Sequence, residues 1–107
     1  MTADVHSAAA HSFDPARARF ADFQPFWEFV AGPLHAGTFG PNELDATFGP
    51  RLEYCSVSRG LEPNRPPSEG LQSFGMVRID GTSGVMTVAL HDGAGRVLHA
   101  VDLPPEA

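Results

Sequence analysis

The chain predicts a mixed α/β fold that is mostly β and closes in a three-stranded antiparallel meander. Three observations carry this. Residues 71–103 alternate between apolar and polar with short Asp- and Gly-bearing links. The 107 residues include 11 glycines and 10 prolines, which favours turns over long helices. An aromatic and β-branched block over 26–30 reads as a further strand.

From the N-terminus, residues 2–5 read as the stub of a strand ending at His6, and Ala8-Ala9-Ala10 as the start of a helical turn. Asp14 caps a short helix through Pro15–Phe20, with Phe20 and Phe23 on one face. Phe26–Val30 is a strand. Residues 31–50 form a long ordered loop with a helical turn at 42–45, and 51–57 a weakly alternating strand. Residues 58–70, rich in Pro, Gly, Asn and Ser, form the most flexible loop. Ser73–Ile79, Val85–His91 and Val97–Leu103 are the meander strands, joined through Asp80–Gly84 and Asp92–Arg96. Met86, Val88 and Leu90 line one face of the middle strand, and Val97, Val101 and Leu103 one face of the last.

A chain of this length builds one domain with a modest core, for which eight phenylalanines and Trp27 supply bulk. The net charge of −6 and the absence of a basic stripe argue against a nucleic-acid partner. No apolar run is long enough to span a membrane, and no basic start leads into an apolar run as in a signal peptide. Cys55 is the single cysteine, which excludes an internal disulfide, and it reads as a small packed side chain.

The candidate chemistry stands near the N-terminus. Asp4 and His6 are two apart, so on an extended strand both leave one face, where a carboxylate and an imidazole hold a metal or carry protons. Nothing upstream supports the pair, so the chain reads as the back end of a larger catalytic domain. His11 is either a neighbour of such a site or a loop histidine. His35 lies in a Gly-Pro loop, either approaching a phosphate or merely exposed. Glu28 is either a hydrogen-bonded carboxylate near the site or an outward strand residue. Arg17 and Arg19 either meet a substrate phosphate or form a solvated face. His91 and His99, across from each other in the closing hairpin, are structural. Gly93-Ala94-Gly95 is a hairpin link and no phosphate cradle, since no helix follows it.

The run Thr2-Ala3-Asp4-Val5-His6-Ser7-Ala8-Ala9-Ala10-His11, then Pro25-Phe26-Trp27-Glu28-Phe29-Val30-Ala31-Gly32-Pro33-Leu34, then Gly37-Thr38-Phe39-Gly40-Pro41-Asn42, resembles the C-terminal part of PhoD-like phosphatases (alkaline phosphatase D). These are calcineurin-like metallophosphoesterases. Pro66–Gly75 and the meander are also similar to that family's end, so the resemblance covers essentially all of residues 1–107. It implies an α/β sandwich with helices outside two sheets, of which this chain supplies the C-terminal segment. It implies phosphate-ester hydrolysis by water activated at a binuclear centre of divalent or trivalent metal ions, of calcium and iron type. His6 takes the metal-ligand position of the family's last motif, Gly-Asp-x-His in this branch. Asp4 takes the preceding slot, binding metal or orienting a ligand, and Ala3 replaces the usual Gly.

The family's earlier motifs, which supply most of the ligands, do not occur in the chain. The expectation is therefore a fragment or truncated form, inactive alone, with a metal bound only in the full-length context. No residue of the chain is assigned a catalytic role beyond metal binding. A phosphate ester is the expected substrate of the whole enzyme. Relatives are often secreted or periplasmic, and the sequence does not fix a compartment. Because the family's sheets pack on parts encoded earlier, Trp27, Phe29 and Val30 are expected to lose partners and to drive self-association. The alternative is a small non-catalytic β-rich interaction module.

Overall fold

A computed structural model describes residues 1–106. Six strands form two three-stranded antiparallel sheets: β1 (Ala8–Phe13), β2 (Phe26–Ala31), β3 (Pro50–Cys55), β4 (Ser73–Ile79), β5 (Met86–Asp92) and β6 (Val97–Leu103). The first sheet runs β2-β1-β3 and the second β4-β5-β6. The described residues together span 45 × 37 × 17 Å.

The mostly-β expectation holds and the mixed α/β one does not. Among the described residues helix is limited to three single turns of 3-10 type, at Pro15–Arg17, Ala46–Phe48 and Pro67–Glu69. Glycine and proline recur too often for a helix to outgrow its costly nucleus. The first two turns form where an aspartate caps them. Asp14 accepts from Ala16 N and Asp45 from Thr47 N, each at 2.8 Å. The turn expected at 42–45 therefore lies just after Asp45.

The alanine run is the second correction. Ala8-Ala9-Ala10 is the middle strand of the first sheet, paired with Ala31-Val30-Phe29 on one side and with the Tyr54–Cys55 end of β3 on the other. Two neighbouring strands override alanine's helix preference. The expected strand at 2–5 shrinks to one parallel bridge between Thr2 and Val30, and the chain then bends through Asp4–Ser7.

The inner faces of the sheets close one core. Ala10, Phe29 and Val88 are buried together, with Trp27, Tyr54, Met86, Val101 and Leu103 packed on them. Phe29 and Val30 are 5% and 1% exposed and Trp27 packs half-buried on the core, so these three keep partners, contrary to expectation: the second sheet covers Phe29, and Val30 lies under the loop after β2. Gly32 makes the close approach possible. A Cβ there would stand 2.2 Å from Ser73 Oγ, which donates to Ala31 O at 2.7 Å.

The meander forms at its expected positions. Val88 and Leu90 are buried and Met86 half-buried. Asp80 accepts from the backbone of Thr82 and Ser83 in one link, and Asp92 from that of Ala94 and Arg96 in the other. Val97 departs from the reading. A bulge between Leu90 and His91 shifts the register, so Val97 pairs with His91 and is 60% exposed, while Val101 and Leu103 stay on the core. His91 and His99 are likewise not opposite each other. His91 stacks on Phe74 and His99 on Tyr54 of the other sheet.

Candidate functional site

The bend that follows Thr2 shapes the region around Asp4 and His6. Ser7 N donates to Val5 O at 2.7 Å, a three-residue turn rather than an extended strand. Asp4 and His6 nevertheless line one shallow recess, together with Val5, Phe39, Gly40 and Asn42. The loop after β2 supplies its far wall, held by Phe39 N donating to His6 O at 3.0 Å.

His6 is half-buried and oriented on two sides. Its Nδ1 lies 2.8 Å from the carbonyl oxygen of Gly37, and its ring meets Phe39 edge-on at 5.3 Å. A carbonyl only accepts, so Nδ1 donates to it, and in the neutral ring Nε2 keeps its lone pair. This is the arrangement of a metal-binding histidine, whose second nitrogen donates to a carbonyl or carboxylate. Asp4 is exposed. The pair offers one imidazole nitrogen and one carboxylate, too few donors for a binuclear centre. Among the described residues no three His, Cys, Asp or Glu side chains gather into an ion site. His6 is thus oriented as a ligating histidine would be, and among the described residues no other His, Cys, Asp or Glu side chain joins it and Asp4 in the recess.

Beside this recess, on the outer face of the first sheet, His11 stands directly across from Glu28, with Nδ1 and Oε2 3.4 Å apart. His11 lies on β1, not in a loop, and is buried; Glu28 is half-buried and also accepts from Thr2 Oγ1 at 3.0 Å. Arg17 is committed to structure. Its guanidinium donates to Ser12 O, Ser12 Oγ and Gly49 O. Arg19 and His35 are exposed, and neither lines this recess. Cys55 is a half-buried free thiol at the end of β3. Gly93-Ala94-Gly95 is the hairpin link expected.

The residues that orient His6, Gly37 and Phe39, escaped the sequence reading. They lie more than thirty positions away within a loop. The only local signal was the density of Gly and Pro around them, which marks an ordered loop without saying what it touches.

A family model described as PhoD-like phosphatase matches residues 1–90, from the Asp4–His6 region through most of β5. No curated protein and no solved structure matches the chain.

Proposed function

We propose a place in phosphate-ester hydrolysis for this chain on one premise: it belongs to the PhoD-like phosphatase family. His6 is one ligand of the metal centre that activates water, and Asp4 binds the same centre or orients a ligand. The remaining ligands come from outside these 107 residues, so the chain alone is inactive. The observation that carries this reading is the Nδ1 contact of His6 with Gly37 O at 2.8 Å, which leaves Nε2 free to bind a cation.

Two measurements test it. Ring nitrogen NMR of His6 is expected to show the Nδ1-protonated tautomer; a proton on Nε2 would remove the basis for ligation. Hydrolysis of an activated aryl phosphate by the chain, with added calcium, iron, manganese or zinc, is expected to be absent. Metal-dependent turnover that disappears in His6→Ala would show that the chain assembles a working centre by itself.

The closed core formed by Ala10, Phe29 and Val88 favours a second reading, a self-standing β-rich module that acts through its surface. Light scattering and thermal unfolding separate the two. A monodisperse monomer with one sharp transition supports the module, and association through unpaired apolar surface supports the fragment.

A further inference from the structure

The outer face of the first sheet carries a cavity that metal ligation does not use. It has a volume of about 240 Å³ and lies between β1, β2 and the segment 41–44, with Val30, Pro41, Leu44 and Leu52 among its apolar walls. That is larger than the roughly 150 Å³ apolar void that binds benzene. Its polar groups are few and placed.

His11 is 9% exposed and lines the cavity. Its Nδ1 is buried and faces the Glu28 carboxylate at 3.4 Å, and Thr2 Oγ1 holds the other carboxylate oxygen. No hydrogen bond joins His11 to Glu28, but the facing carboxylate can only accept, which favours the tautomer with the His11 proton on Nδ1. Nε2, neither hydrogen-bonded to the protein nor fully buried, is the nitrogen left to face the cavity. Ser7, on the same face of the chain and 1% exposed, has a hydroxyl with no partner.

The charges on the lining exclude an anion. Glu28 and Glu43 stand against Arg59 alone, so a phosphate would meet more negative charge than positive. A neutral, mostly apolar molecule with one hydroxyl fits each feature. Its body covers the aliphatic walls and its O–H donates to His11 Nε2.

We propose that this cavity binds an alcohol or phenol through His11 Nε2, as the seat of the organic part of the phosphate ester. The cavity shares Val5 and Asn42 with the recess of Asp4 and His6, which sets the two side by side. The assignment of the occupant as the ester's organic part rests on the phosphatase reading; the binding of a hydroxyl compound does not.

The test is a titration of the chain with phenol and, separately, with inorganic phosphate. It is followed by NMR at the His11 ring nitrogens and the Leu44 and Leu52 methyls. Phenol is expected to shift these signals saturably and phosphate to leave them in place. Leu44→Ala, in an exposed segment that leaves the sheets intact, is expected to weaken phenol binding about fivefold. His11→Phe is expected to weaken it similarly while the meander amides keep their positions. The proposal is overturned if phenol produces no saturable shift, if phosphate moves the same signals, or if Leu44→Ala binds phenol as tightly as the parent chain. Phenol binding needs no metal, so its failure leaves the His6 reading standing, and a failed His6 tautomer leaves phenol binding standing.

Discussion

The two sheets are built by different kinds of contact. In the meander, each strand pairs with its sequence neighbour through a link of a few residues, and the links carry their own hydrogen bonds from Asp80 and Asp92. In the first sheet the order is β2-β1-β3, and β3 reaches β1 only after a loop of nearly twenty residues. Every candidate functional side chain that the structure brings to a recess lies on or beside this first sheet. The sheet assembled over long range carries the candidate residues, because its long connections fold back over its face.

The largest expected effect tests whether the two sheets are one folding unit. Phe29 sits in the cluster that includes Val88 of the meander. Phe29→Ala is expected to cost about 3–5 kcal/mol in denaturant unfolding and to lower the transition of both sheets together. A meander that keeps its own midpoint would divide the molecule into two independent units.

Next come two glycines with similar backbone and different surroundings. Gly32 has φ +76° and a Cβ there would strike Ser73 and the Ala8 backbone; Gly70 has φ +74° and open space. Gly32→Ala is expected to cost about 2–4 kcal/mol, combining left-handed strain with a clash between the sheets. Gly70→Ala is expected to cost about 1 kcal/mol, from strain alone. Equal losses would mean that the approach of the sheets at Gly32 relaxes without difficulty.

The smallest effect concerns acid. Asp92 is held below the ordinary aspartate value of 3.8, first by the backbone N–H of Arg96. Asp80 is held below it by the backbone N–H of Ser83. Glu53 of β3 is held below its ordinary 4.5 by the Ser12 hydroxyl and then by Arg51. A carboxylate lowered in the folded state stabilises the fold above its ordinary value, and that contribution is lost as pH falls through the lower folded value. Thermal stability is therefore expected to decline below about pH 4. Asp92→Asn is expected to lower stability at neutral pH and to flatten that acid decline. An unchanged acid limb would place the acid sensitivity elsewhere.

The sequence by itself determined the meander strands, the Asp14 cap, though its turn ends at Arg17 and not at the expected Phe20, the strand over the Phe26–Val30 block and the family resemblance of the N-terminal motif. Each is written in contacts between near neighbours or in a run of consecutive residues, so composition and period suffice to read it. Tertiary structure alone decided that Ala8–Ala10 is a central strand, because two partners far along the chain outweigh a local preference. It decided that Val97 turns outward, because a bulge shifts parity by one residue. It also set His6 against Gly37 and His11 against Glu28. The first pairing depends on how the loop after β2 closes over the sheet and the second on the register of β1 against β2, and no residue near either histidine in the chain records the outcome.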